Sequence, residues 1–221
     1  FYSNNGAEVF VNRIAQNIDS NKILTKTTVN SIDIESKTIY TNNEEIGYEY
    51  LVSTIPFSHF AKMANLKLIN ELSANQTLVF NMGFDKPSVD SSLHWIYYPG
   101  NECFYRVGFY NNILNQDNLS IYIEIGFNEH ETIDVELYKQ QALRDLKKVG
   151  IITNHKLVES NYVIMNPAYV HISDKTEKEL NTVKKNLKEK NVFFAGRYGN
   201  WTYCSIEDCI VQAYSVAGEM K

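Results

Sequence analysis

The residues best suited to chemistry lie in one segment, residues 191–218, NVFFAGRYGNWTYCSIEDCIVQAYSVAG. Val192, Phe193, Phe194 and Ala195 form a short apolar run that ends at a glycine, the pattern of a buried strand. Gly196-Arg197 breaks the run. An aromatic loop with Tyr198, Trp201 and Tyr203 follows, and Ser205 can cap a helix whose first turn holds Glu207 and Asp208. Ile206, Cys209, Ile210, Ala213 and Ala217 recur at helical spacing, so one buried face is expected on that helix. A strand end, a glycine-arginine turn and a helix N-terminus suit an anion or a cofactor, because backbone N–H groups, the positive dipole end and a guanidinium converge. The same residues also allow a plain strand-turn-helix whose Arg197 pairs with a structural carboxylate. Both readings stay open at this level.

Other elements must position that segment. Residues 7–18 carry apolar residues at helical spacing after an Asn5-Gly6 turn. From Thr27 the period changes to two. Val29, Ile32 and Ile34 predict one strand and residues 38–40 another, with Glu35-Ser36-Lys37 turning between them. Residues 42–45 make a second turn, and 50–54 read as a buried strand that Pro56 stops. A short helix is expected over 58–66. Residues 76–84 alternate through Leu78, Phe80, Met82 and Phe84, and runs at 94–98, 104–110 and 120–127 follow at regular intervals, which predicts an antiparallel sheet. Helical spacing returns over 132–149, through Val135, Leu137, Ala142, Leu146 and Val149. Residues 156–164 read as a strand, and 177–190 as a charged helix with Leu180, Val183 and Leu187 inward.

The totals exclude several classes. A chain of 221 residues can bury a full core, and 44% hydrophobic with 21% charged residues is a soluble globular composition. A formal charge of −5 leaves no electrostatic footprint for nucleic acid, and no apolar run is long enough to span a bilayer. Cys103, Cys204 and Cys209 lack metal-ligand spacing, so reduced thiols in a cytoplasmic protein and no metal site are expected. The start, FYSNNG, has neither methionine nor a signal peptide's apolar core, and reads as a cut from something longer.

The C-terminal segment resembles the signature of the flavoprotein superfamily that includes amine oxidases, protoporphyrinogen oxidases and UDP-galactopyranose mutases. In that family the helix points at the flavin and the arginine lies beside it. An aromatic after Gly196-Arg197, then Trp201-x-Tyr203, is most similar to the eukaryotic-type mutases and their bacterial relatives. Three more blocks carry the resemblance. Residues 29–57 look like the family's β-meander and following strand, 94–112 (HWIYYPGNECFYRVGFYNN) are similar to a substrate-domain stretch, and 166–171 (NPAYVH) match the segment before the final helix and glycine-arginine strand. The glycine fingerprint G-x-G-x-x-G, which brings backbone close to a pyrophosphate, is absent from this sequence, as is the mutases' glycine-rich loop with its histidine.

The resemblance therefore implies the C-terminal half of a flavoprotein. Its fold would be α/β (α+β), a fragment of a two-domain FAD-dependent oxidoreductase. Residues 1–66 and 185–221 would be the remnant of the FAD-binding domain, and 67–184 a substrate-binding domain with an antiparallel sheet and helices. FAD is expected in the parent protein and weakly held or absent in this piece, which alone would be inactive. By resemblance, Val29, Gly196, Arg197, Ser205, Ile206 and Cys209 would lie on the cofactor, with Cys209 as packing rather than redox chemistry. Trp95, Tyr97, Arg106, Tyr169 and Tyr203 would face a nucleotide-sugar substrate. A diphosphate favours the bidentate donors of an arginine such as Arg106, and phenols are neutral, rigid donors. Arg106 also has a plain reading, a strand-face arginine that is solvated or salt-bridged. No residue is assigned as catalytic.

Two activities and one null outcome compete. A mutase would contract a nucleotide-sugar ring without net redox change, in surface polysaccharide synthesis, using reduced FAD and stabilising a departing UDP. An amine oxidase or protoporphyrinogen oxidase would pass hydride to flavin, in which case Trp201 and Tyr203 could be its aromatic pair. The third possibility is a non-catalytic homologue. The substrate, the oligomeric state and the redox or redox-neutral character of the parent are not legible in the sequence.

Overall fold

The computed structural model describes residues 6–220. Asn5 of the expected Asn5-Gly6 turn lies outside them. In chain order the elements begin with α1 (Glu8–Ala15), β1 (Val29–Asp33), β2 (Thr38–Thr41), β3 (Glu45–Gly47), β4 (Leu51–Ser53) and α2 (Phe57–Met63). Next come β5 (Asn75–Phe84), β6 (Trp95–Tyr97), β7 (Arg106–Phe109), α3 (Tyr110–Leu114), β8 (Ser120–Asn128), α4 (Val135–Lys148) and β9 (Leu157–Met165). The chain closes with α5 (Asp174–Lys188), β10 (Val192–Phe194), α6 (Gly196–Gly199) and α7 (Ile206–Glu219).

Two compact units form. One takes Asn75–Ala168 with the chain up to Asp19; the other joins Ser20–Ala74 to Tyr169–Lys221. The sequence reading divided the chain after 66 and before 185 instead. Helix α5 packs on β10, which draws the residues before 185 into the second unit.

The first unit is a five-stranded antiparallel sheet in the order β6-β7-β8-β5-β9. Alternation gives it two different faces, since side chains along a strand point to opposite sides. Leu78, Phe80 and Met82 of β5 stand opposite Ile125, Ile123 and Ile121 of β8. All six are buried, and Ala142 and Leu146 of α4 complete that core. Burying so many large aliphatic and aromatic side chains, at about 1.5–3 kcal/mol each, is what sets the sheet's register. Of the apolar residues at helical spacing on α4, Ala142 and Leu146 are buried while Leu137 is 55% exposed.

The second unit packs around three rings. Phe57 and Phe60 of α2 lie 4.9 and 4.8 Å from Phe194 of β10. β4 and β10 form a two-stranded parallel sheet, Leu51 to Val192, Val52 to Phe193 and Ser53 to Phe194. β4 was expected to be buried, yet Val52 is exposed and only Ser53 is buried. β1, β2 and β3 make an antiparallel meander. Its third strand, implied by the resemblance to a meander, shows no period of its own because Glu45–Gly47 is short and polar.

Helix α7 departs most from expectation. Its apolar stripe is not a buried face: no residue of α7 is buried, and Ile206 is 62% exposed. The side it turns to the body carries Cys209, Gln212 and Val216, all half-buried. Periodicity identifies an apolar stripe, not what covers it.

Candidate functional site

Arg197 is held by groups that leave its charge uncancelled. β10 ends at Phe194, and Gly196 then takes φ +79°, a left-handed conformation that favours glycine. An added Cβ there would meet only the Cys209 Sγ at 3.9 Å, so conformation rather than space demands glycine. The Gly196 N–H donates to Gln212 Oε1 of α7 at 2.8 Å, and Asn200 Nδ2 donates to the same oxygen at 2.8 Å. The turn and α7 are thereby tied together. Arg197, in α6 rather than in a loop, donates from Nη2 and Nε to the Cys204 carbonyl at 2.9 and 3.3 Å. Its guanidinium stands 4.9 Å from the Tyr203 ring centre and 5.7 Å from that of Tyr169. Among the described residues no carboxylate reaches it, so the plain reading with a structural carboxylate does not hold here.

The mouth of α7 lies beside this turn. Ser205 and Asp208 form a capping box: Ser205 Oγ accepts from the Asp208 N–H at 3.1 Å, and Asp208 Oδ2 accepts from the Ser205 N–H at 2.7 Å. The latter bond holds the Asp208 carboxyl below its usual range. The first intrahelical bond runs from Cys209 N–H to Ser205 C=O at 3.2 Å, which leaves the amides of Ile206 and Glu207 without helical acceptors. Gly196, Arg197, Ser205, Ile206 and Cys209 thus share one corner. Val29 does not sit on that turn; it opens β1, half-buried opposite Thr41 in the meander.

The five residues expected on a substrate divide between the units. Tyr169 and Tyr203 flank Arg197, whereas Trp95, Tyr97 and Arg106 share the sheet face opposite the first core. Cross-strand registers give that face two rows. One runs Tyr97, Arg106, Glu124, Val79, Val163; the other runs Trp95, Gly108, Tyr122, Asn81, Asn161. Arg106 Nη2 makes an ion pair with Glu124, whose other oxygen accepts from the Tyr105 hydroxyl. Arg106 Nη1 donates to Tyr97 Oη at 3.3 Å. The guanidinium lies 5.8 Å from the Tyr97 ring and 5.9 Å from the Tyr122 ring. Burial would lower the guanidinium's proton affinity, but the Glu124 carboxylate outweighs it and holds Arg106 above its ordinary value. Burial likewise pushes the Tyr122 and Tyr110 phenols up.

Glu124, Tyr105 and Tyr122 were missed from sequence. The available signal was one carboxylate inside the Ile121-Ile123-Ile125 alternation, on the face opposite the isoleucines. Gly108 is the enabling residue. A Cβ there would sit 2.0 Å from Tyr122 Cε1, so the Tyr122 ring occupies the space a side chain would take. Trp201 is 3% exposed and Tyr203 73%, so they do not form a matched pair of exposed rings.

Also overlooked in the sequence is a cation, Lys184 on α5. Its Nζ donates to Asn200 O at 2.6 Å and Oδ1 at 3.3 Å, and lies 5.7 Å from the Phe57 ring centre. Burial pulls it from 10.5 to about 8, although Glu177 acts the other way. The depressed value means the unfolded chain binds more protons between about 8 and 10.5, so this residue's contribution to stability rises with pH across that window. Below it, the buried ammonium is a full burden. Wild type minus Lys184→Met stability, from urea unfolding, should therefore be flat below about pH 8 and climb above it. Parallel pH curves for the two proteins would refute this.

The flavin-containing amine oxidoreductase family model matches residues 2–221. Among solved structures, a reduced UDP-galactopyranose mutase superposes with a TM-score of 0.80 at 19% identity, covering 97% of this chain and 50% of that one. A structure described as a putative protoporphyrinogen oxidase from Exiguobacterium sp. 255-15 gives 0.79 at 14% identity, covering 98% and 51%. An oxidoreductase from Methanosarcina mazei gives 0.64 at 13% identity, covering 97% and 54%. The chain thus spans about half the length of these structures, and likeness at such identities shows the fold alone. No curated protein matches it. Among the described residues, no helix is long and apolar enough to cross a membrane.

Proposed function

This chain belongs to the flavin-containing amine oxidoreductase family, whose cofactor is FAD, and on that premise we propose that it is the C-terminal part of a nucleotide-sugar mutase-like flavoprotein. The corner around Arg197 fits a flavin. It offers an uncancelled guanidinium, the two leading amides of α7, and a glycine turn fixed by Gln212. Gly196, Arg197, Ser205 and Ile206 are the residues proposed to hold it, with Tyr169 and Tyr203 keeping Arg197 in place. Val29 is proposed to serve the cofactor from the meander, and Cys209 to pack under the turn. Bound flavin would supply either hydride acceptance or, when reduced, a nucleophile.

The observation that carries the mutase-like reading is Arg106. Its Nε is buried with no hydrogen-bond partner, so this guanidinium retains a donor in need of an acceptor. It stands on a face of phenols and indole beside exposed Trp95 and Tyr97. Such a face suits a nucleotide, with rings for the base and a fork of donors for phosphate. Glu124 supports a second reading. By cancelling much of the Arg106 charge it weakens the pull on a diphosphate, which favours an oxidase acting on an amine or another uncharged or cationic substrate.

The deciding experiment uses the longer flavoprotein that carries this sequence, with FAD reduced by dithionite. UDP should bind, and Arg106→Ala should weaken binding about tenfold to a hundredfold, the worth of a charge-assisted hydrogen bond. Oxygen consumption with an amine and no UDP binding would establish the oxidase reading instead.

A further inference from the structure

We propose that Cys204 and Cys209 are a paired oxidation site, two thiols that close to a disulfide across the N-terminus of α7. Their sulfurs lie 3.6 Å apart. Because Ser205 is the N-cap, Cys204 is the residue before the cap and Cys209 the fourth helical residue. Those two positions commonly hold an apolar pair that staples the incoming chain to the helix. In this chain both halves of the staple are thiols. The capping box of Ser205 and Asp208 lies between them and fixes the path of the chain. The proposed bond brings these sulfurs from 3.6 Å to about 2.05 Å by rotation about the cysteine side chains.

The two sulfurs are not equivalent. Cys204 is buried and Cys209 half-buried, so an oxidant in solution reaches Cys209 first. Burial and the adjacent Cys209 hold the Cys204 thiol above its ordinary value, which suits it to the resolving role. With a peroxide as oxidant, the Cys209 thiolate attacks one oxygen, forming a sulfenic acid and releasing water. The Cys204 sulfur then attacks the Cys209 sulfur and expels its hydroxyl, which leaves with the Cys204 proton as a second water. Two thiols are oxidised and one peroxide is reduced to two waters.

The consequence reaches Arg197, because its guanidinium donates from Nε and Nη2 to the Cys204 carbonyl. A disulfide at Cys204 would lock the segment between α6 and α7, whose carbonyl holds this guanidinium, to the helix beside it. The thiol chemistry itself is independent of any flavin.

The test treats the full chain with hydrogen peroxide under native conditions, then alkylates the remaining thiols and digests with trypsin. Cys103 serves as an internal reference, since burial and Asp145 push its thiol up to about 12. The expected product is a peptide lighter by two hydrogens that carries no alkyl group on Cys204 or Cys209. Cleavage after Glu207 should then yield two peptides joined until a reductant is added. Cys103→Ser should give the same product. Recovery of Cys204 alkylated while Cys209 is over-oxidised, all thiols alkylated, or a disulfide through Cys103 or a second chain would each overturn the proposal.

Discussion

Glu124→Ala is expected to destabilise the sheet unit by about 3 kcal/mol, among the largest single-residue effects in this chain. Glu124 is 5% exposed and balances a guanidinium whose side chain is 24% exposed. Removing it strands that cation in a poorly hydrated place and takes the acceptor from the Tyr105 hydroxyl. Breaking a fully buried pair costs about 3–5 kcal/mol, and the partial exposure of Arg106 argues for the lower end. The Arg106→Ala, Glu124→Ala double variant should recover part of the loss, because the uncompensated charge is gone. Urea unfolding of wild type, Glu124→Ala and the double variant measures this. A Glu124→Ala midpoint equal to wild type would mean that the pair is solvated and does not organise the face. Arg106 would then be free to pair with a ligand without competition.

Gly199→Ala is expected to cost about 3 kcal/mol or more, by a steric route. A Cβ at Gly199 would lie 2.5 Å from the Ser53 carbonyl oxygen and 3.1 Å from Thr54 Cα. These are backbone atoms of β4 and the residue after it, so no side chain can rotate away. Relief requires α6 to separate from the β4 end, and α6 carries Arg197. The variant should therefore lose the close approach of Arg197 to Tyr203 as well as stability. Gly47→Ala is the matched control: nothing lies within 4 Å of its Cβ, and a change within about 0.5 kcal/mol is expected. Equal effects of the two substitutions in thermal unfolding would refute the steric explanation.

Local pattern carried much of this fold. The alternation of Leu78, Phe80, Met82 and Phe84 marks one strand, and all four are buried in the sheet's core. The cap at Ser205 was legible because its chemistry involves residues only three apart. Partners distant in the chain were not. Glu124 meets Arg106 across 18 residues, and Tyr169 reaches Arg197 across 28, through registers and turns that no short window contains. The sequence reading grouped Tyr169 and Tyr203 with Arg106 by resemblance, whereas the structure sets both against Arg197.

By itself, then, the sequence determined the longer strands and helices, the alternation of the central sheet strands, and where α7 begins, but not the short elements β3, α3 and α6. Those properties follow from backbone preferences and from a side-chain period of a few residues. Tertiary structure alone decided which charges are cancelled: Glu124 neutralises Arg106, while among the described residues Arg197 meets a carbonyl and two rings. It also decided that the apolar stripe of α7 stays exposed and that two thiols five residues apart come into contact. Each of these depends on which surfaces meet in space, and no local spacing records that.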